Sequence, residues 1–351
     1  MPLTRILITL TERGWLPDSM IRLGIRRLLR QRLAALPLHD PAAARAYVQH
    51  FLREMAAAPI ALAPEKANEQ HYEVPAAFFA KVLGERRKYS SGLWPNGVNT
   101  LDGAEAAALE ETCRHAGLAD GQDILELGCG WGSLSLWMAE HYPASDIVGV
   151  SNSNSQRESI LERARLMGLN NLEIITCDMN KFTIERRFDR IVSVEMFEHM
   201  RNWQVLFGKI ADWLNPGGQF FMHVFCHRSL PYLFEVEDES DWMSRFFFSG
   251  GMMPSWDLAA QIDSPLTLEE RWQWNGQHYA KTANAWLANM DRRKAELWPI
   301  LAATYGPEHA QTWWVRWRIF FMACAELFGY RNGTEWPIGH YRFQRASHLP
   351  A

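Results

Sequence analysis

Two carboxylates and an imidazole fall within five residues, at Glu195, Glu198 and His199. They follow Arg190–Val194, a short run that reads as a strand. Ligands of open α/β sheets gather at the carboxyl ends of strands, so the trio stands where chemistry is expected. If the chain continues as a helical turn, Glu195 and His199 lie four apart on one face. Such a set can hold a cation and accept its proton. A second cluster, Glu126-Leu127-Gly128-Cys129-Gly130-Trp131-Gly132, follows Ile124-Leu125 and opens a helix. A glycine-rich strand-to-helix turn lets a ligand come close to the backbone. Its third glycine comes too early for the G-x-G-x-x-G that seats a dinucleotide pyrophosphate.

Both clusters need a sheet to position them, and the chain offers one. Strands are expected at Asp123–Leu127, Ile147–Val150, Leu172–Thr176, Arg190–Val194 and Gln219–Phe225. Helices are expected between them, at Ala104–Ala116, Trp131–His141, Gln156–Met167 and Trp203–Leu214. That alternation implies a parallel sheet covered on both faces. Pro216-Gly217-Gly218 reads as a turn into the last of these strands. Upstream, a helix capped by Asp18-Ser19 runs to about Leu36, and a second covers about Pro41 to Met55. The Ala/Pro-rich stretch 56–67 reads as a linker. Residues 227–268 lack clean periodicity and read as an inserted lid, with an aromatic cluster at Trp242, Phe246, Phe247 and Phe248. Two helices, about Asn284–Leu297 and Glu308–Phe328, lie between strand signals at Leu268–Trp274 and His340–Phe343. The domain reading is a helical extension (1–67), a core (68–226), a lid and helical insert (227–335), and a closing strand with tail (336–351).

Composition narrows the function. The chain has 351 residues, 48% apolar and 22% charged, with net charge −4. That balance is globular and gives no reason to expect a nucleic-acid partner. Residues 1–60 carry nine arginines against four acids, and Arg22, Arg26 and Arg30 form a basic stripe. The stripe is either a solvated face or a peripheral membrane contact. No apolar run spans a bilayer, and the stretch Met1 to Leu10 lacks a signal-peptide pattern. Five scattered cysteines suggest reduced thiols and a cytoplasmic protein. No Cys/His cluster suggests a metal.

The G-x-G-x-G turn with an acid two residues ahead resembles motif I of class I methyltransferases. There it would lie against the methionine part of S-adenosylmethionine. Ser151 and Gln156 stand where an acid usually holds the ribose hydroxyls, and Asp178 is placed for the adenine amino group. His71-Tyr72, Tyr89-Ser90-Ser91, Glu195 to Met200 and His278 to Thr282 extend the likeness. Together these motifs resemble the cyclopropane-fatty-acid synthase superfamily. Asp241-Trp242-Met243 and Ala325 to Tyr330 bring the chain closer to its coclaurine (benzylisoquinoline) N-methyltransferase branch. The resemblance implies a Rossmann-like α/β fold with a doubly wound, seven-stranded sheet, and suggests a homodimer. It implies that Tyr89, Ser90, Glu126, Gly128, Gly130 and Gly132 serve the cofactor. In cyclopropane synthases a bicarbonate base is held by Cys, Glu, His and Tyr positions, matched here by Ser91, Glu198, His223 and Tyr279. In the N-methyltransferases the catalytic pair falls on Glu195 and His199, with Glu198 beside them.

Three functions compete at this point. The first is methylation of a small aromatic or benzylic amine, with Glu195 or Glu198 holding the ammonium and His199 taking its proton. His223, Trp242, Phe248 and Tyr279 would then contact the acceptor. The second is addition of a methylene to unsaturated lipid chains, the one case that calls for bicarbonate. The third is cofactor binding without catalysis.

Overall fold

Five short apolar runs, mostly separated by helices, build the centre of the sheet, because a strand buried on both faces needs continuous apolar sequence. The computed structural model describes residues 10–62, 74–235 and 242–345. His71, Tyr72, Asp241 and the boundary expected at 67/68 lie outside the described residues. The sheet strands are β1 (Asp123–Leu127), β2 (Asp146–Ser151), β3 (Leu172–Thr176), β4 (Phe188–Val194), β5 (Leu214–Phe225), β8 (Leu266–Trp274) and β9 (Ile338–Arg345). Their order is β3-β2-β1-β4-β5-β9-β8. The first five run parallel, while β9 is antiparallel to both β5 and β8. The strand order reverses at β1, so the ends of β1 and β4 open on a crevice. Pro216 to Gly218 are absorbed into β5 as an irregular register against β4 rather than forming a separate turn.

Helices α4 (Leu101–Ala116), α5 (Ser133–His141), α6 (Asn154–Met167) and α7 (Trp203–Trp213) cover the sheet. They match the expected elements to within about three residues. Helix α1 (Asp18–Ala35) starts differently from the expectation. Pro17 is its N-cap and no side chain caps it; Asp18 instead pairs with Arg318. Asp40 does cap α2 (Pro41–Ala57), accepting from the amides of Ala42 and Ala43.

The basic stripe of α1 docks inward. Arg22 and Arg26 both bind Glu326, at 2.9 and 2.7 Å, and Arg22 also donates to Asn284. Glu326 belongs to α11 (Ala310–Gly329), so the stripe joins α1 to the helical lobe. Two of its three charges are thereby paired with a carboxylate of the lobe. Among the described residues no helix is long and apolar enough to cross a membrane.

The lobe before β9 has three helices where two were expected: α9 (Gln277–Arg292), α10 (Lys294–Tyr305) and α11. The expected Asn284–Leu297 helix is broken at Arg293, which leaves helical geometry at φ −105° and ψ 25°. Apolar residues recur on both sides of that point, so periodicity alone carries straight through it. With α3 (Ala76–Val82) and α1, this lobe encloses an aromatic core that includes Phe78, Trp286 and Trp317. The insert carries α8 (Trp242–Phe246) and a small pair of strands, β6 (Tyr232–Leu233) with β7 (Met252–Met253). Phe247, Met252, Met253 and Leu258 of the insert are fully buried.

Candidate active site

The glycine turn leaves β1 and folds back on β2, where the amides of Gly128 and Cys129 both donate to Val150 O. Gly128 has φ +80°, and a Cβ there would stand 2.8 Å from the Met196 side chain. Gly130 borders open space, with nothing within 4 Å of an added Cβ. Gly132 does another job. It caps α5 at φ +76°, and a Cβ would meet Ile160 at 2.6 Å, so it allows α5 and α6 to pack closely.

Two adjoining cavities open here. The first is bordered by Tyr89, Ser90, Glu126, Glu198, Phe248 and Tyr279. The second is bordered by Ser151, Asn152, Asp178 and Met200. Gly128, Gly130, Gln156, Glu195 and His199 border both. Glu195 and His199 therefore stand at the junction of the two cavities, and Glu198 borders the first.

They do not meet as a helical turn. Glu195 has φ +48°, a left-handed conformation that costs a non-glycine residue about 1–3 kcal/mol and is concentrated at functional sites. Only Phe197–His199 form a short 3-10 turn. The kink is anchored by the Glu195 amide, which donates to His223 O at 2.9 Å. It turns the Glu195 carboxylate toward three donors. Oε1 accepts from the Ser91 amide at 3.0 Å and lies 3.2 Å from His223 Nε2. Oε2 accepts from the Tyr279 hydroxyl at 2.7 Å. Burial and that carboxylate push the Tyr279 pKa up, which keeps it a donor.

Glu198 is the opposite case. It is buried, and its Oε2 has no hydrogen-bond partner. Burial, then the nearby Glu195, raise its pKa well above the carboxylate range. His199 stacks on Phe248, with ring centroids 4.4 Å apart. Glu126 takes the Ser135 hydroxyl, and burial pushes its pKa up to about 7.

Not every expected contact reaches the cavities. His223 is fully buried behind Glu195 and does not border either cavity. Trp242 donates to Glu12 and packs on Phe246 and Phe247. His278 accepts from the Trp94 amide. The sequence reading passed over Lys88. Buried at the first cavity, it donates to Ser90 Oγ at 2.5 Å and to Ser91 O at 2.8 Å. Burial lowers its pKa to about 8. In the run Arg86-Arg87-Lys88 it looks like one more surface cation, so no local signal marks it.

Comparison with known proteins fits this geometry. The mycolic acid cyclopropane synthetase family matches residues 62–334. The (S)-coclaurine N-methyltransferase of Thalictrum flavum subsp. glaucum is 34% identical over 95% of this chain and 94% of its own. The cyclopropane-fatty-acyl-phospholipid synthase of Escherichia coli (strain K12) is 29% identical, over 77% of this chain and 66% of its own. A crystal structure of coclaurine N-methyltransferase bound to N-methylheliamine and SAH superposes with a TM-score of 0.94. It is 31% identical and covers 97% of this chain and 99% of that one. Profile, sequence and structure agree over most of the length: the chain belongs to the mycolic acid cyclopropane synthetase family and is an enzyme of the methyltransferase class.

Proposed function

We propose that the protein transfers a methyl group from S-adenosylmethionine to the nitrogen of a small amine. The observation that carries this reading is the Glu195 carboxylate, held by three donors at the junction of two cavities with Glu198 and His199 beside it.

The residues present fit the cofactor. Ser151 donates its hydroxyl to Gln156 Oε1 at 2.6 Å, which leaves the Gln156 amide nitrogen, buried and unpartnered, free to donate to a ribose oxygen. Asp178 borders the same cavity, and the Gly128–Gly130 edge admits the amino-acid end. S-adenosylmethionine, once bound, supplies a methyl group on a sulfonium. The chain's own residues must then free and aim the acceptor's lone pair. An alkylamine with a pKa near ~10.4 is protonated at pH 7, and reaching its neutral form costs about 4.6 kcal/mol. Glu195 holds the ammonium, His199 takes its proton, and Phe248 and Trp286 give the acceptor apolar walls.

The same carboxylate argues against lipid modification. Ser91, His223 and Tyr279 occupy positions that the cyclopropane synthases use for bicarbonate. Here they face a carboxylate that the chain itself provides. Bicarbonate is therefore not needed.

The test offers labelled S-adenosylmethionine with benzylic and tetrahydroisoquinoline amines beside unsaturated phospholipid vesicles. Label enters the amines, and does so in bicarbonate-free buffer. The double variant Glu195→Ala/His199→Ala transfers none while still binding S-adenosylhomocysteine. Label in the vesicles alone, or full activity of the double variant, overturns the proposal.

A further inference from the structure

Behind Glu195 three histidines stand in file. His223 Nδ1 lies 2.9 Å from His340 Nε2, and His340 Nδ1 lies 2.8 Å from His115 Nδ1. His115 Nε2 then reaches Glu111 Oε1 at 3.1 Å and Arg114 at 2.7 Å. The fold sets the spacing: His223 and His340 are direct partners across β5 and β9, and His115 lies in the last turn of α4. Trp272 stacks flat on His115, and Trp274 packs on His340. The three rings are 0–2% exposed, whereas Glu111 is 28% exposed. The file thus runs from the buried site to the surface.

Burial lowers the pKa of all three rings, that of His115 to about 4. The charges that face them are Glu195 and Lys88 at the inner end, and Glu111, Arg114 and Arg342 at the outer end. A neutral imidazole donates at one nitrogen and accepts at the other. The file therefore has two complete hydrogen-bond patterns, which differ at every ring together. An ionised Glu195 accepts only. That fixes Nε2–H on His223, Nε2–H on His340 and Nδ1–H on His115, with Arg114 donating to the far end. A protonated Glu195 fixes the reverse, with His115 Nε2–H donating to Glu111.

We propose that His223, His340 and His115 form a proton line through which Glu195 exchanges its proton with solvent at Glu111. On the inward pass Glu111, a carboxylate paired with Arg114, takes a proton from solvent and passes it to His115 Nε2. The Nδ1–H of His115 passes to His340 Nδ1, the Nε2–H of His340 to His223 Nδ1, and the Nε2–H of His223 to Glu195 Oε1. Glu195 gains one proton, solvent loses one, Glu111 ends as the carboxylate it began, and every ring ends neutral. The outward pass is the reverse and restores the starting pattern. Its use rests on the amine reading: a seated amine shuts Glu195 off from water, and the line lets the carboxyl ionise beside a cation. His340 and His115 are then positioning residues acting through Glu195.

The test is nitrogen NMR of the full-length protein labelled with 15N-histidine, followed from pH 8 downward. The three rings exchange tautomer at one shared midpoint, and none becomes an imidazolium before that exchange. In His340→Leu, His115 and His223 respond separately. Separate midpoints in the wild type, or charging of any ring before the exchange, overturn the line. Activity gives a second reading. Glu111→Gln, a surface change, and His340→Leu each lower kcat for amine methylation roughly tenfold, less than the ~10²–10⁴ of a direct acid–base group, and leave affinity for S-adenosylhomocysteine unchanged. Wild-type kcat in both variants also overturns it. The NMR result needs no turnover, so failure of the amine reading and failure of the line are told apart.

Discussion

The two walls of the proposed active site, one for the cofactor and one for the acceptor, are built differently. The cofactor wall comes from consecutive strand ends: Gly128 and Gly130 after β1, Ser151 and Gln156 after β2, Asp178 after β3. The acceptor wall is assembled from distant segments: Glu195 and His199 after β4, Phe248 in the insert, Tyr279 and Trp286 on α9. The first depends on local backbone geometry. The second depends on where a lobe docks. Damage to the first should therefore register in cofactor affinity or stability, and damage to the second in turnover of the amine.

The largest expected effect lies on the acceptor wall. Glu195→Gln keeps the shape but loses the charge that would hold an ammonium, and it lies at the inner end of the histidine file. We expect kcat for amine methylation to fall by ~10²–10⁴, the range of acid–base groups, while calorimetry finds unchanged affinity for S-adenosylhomocysteine. A matching loss of cofactor affinity would merge the two walls and break the comparison.

On the cofactor wall, Glu126 should reveal itself in stability. Its pKa moves from 4.5 to about 7 on folding, chiefly through burial. Between those values the folded protein holds a proton that the unfolded chain has released, so stability falls as pH rises from 4.5 to 7 and then levels off. At ~1.36 kcal/mol per unit the fall attributable to Glu126 is about 3 kcal/mol. Glu105, also raised to about 7 by burial, adds to the same slope. Urea unfolding of Glu126→Gln across this range should show a shallower slope than the wild type and greater stability at pH 8. An unchanged slope would mean that Glu126 does not carry the shift.

The two walls also differ in how far the sequence reveals them. The proposed cofactor wall was legible because its residues lie at or just after the ends of strands whose apolar runs are local. The acceptor wall was legible in part. Glu195, Glu198 and His199 stand out as a cluster, but the left-handed φ of Glu195 that aims its carboxylate does not. The histidine file was invisible, because His115, His223 and His340 are brought together only by β5–β9 pairing and the last turn of α4. Residue types alone would leave each as a lone core histidine. The pairing of Arg22 and Arg26 was hidden in the same way, since their partner Glu326 is some 300 residues away in sequence.

Gly128→Ala tests whether the cofactor wall is as local as it looks. The substitution strains a position at φ +80° and presses a methyl on Met196, the residue after Glu195. Left-handed strain of about 1–3 kcal/mol corresponds to an affinity loss of roughly five- to 150-fold for S-adenosylhomocysteine. If amine KM rises as well, the push on Met196 has travelled to Glu195 and the walls are coupled through that contact.

The smallest effect separates the walls most finely. Phe248 comes from the irregular insert and stacks on His199 of the catalytic set, at 4.4 Å and 21°. Its ring also packs on Phe225 and Phe234, at 5.9 and 5.0 Å. Aromatic pairs contribute about 0.5–1.5 kcal/mol beyond the area they bury. Phe248→Ala should therefore lower kcat/KM for an aromatic amine about three- to tenfold and leave cofactor affinity at the wild-type value. Phe248→Leu separates two causes. It restores apolar bulk against Phe225 but not the ring stack. If the leucine variant recovers full activity, the insert merely fills space at the acceptor wall. If it stays as low as the alanine variant, the stack itself orients His199, and the insert takes part in the chemistry through that ring.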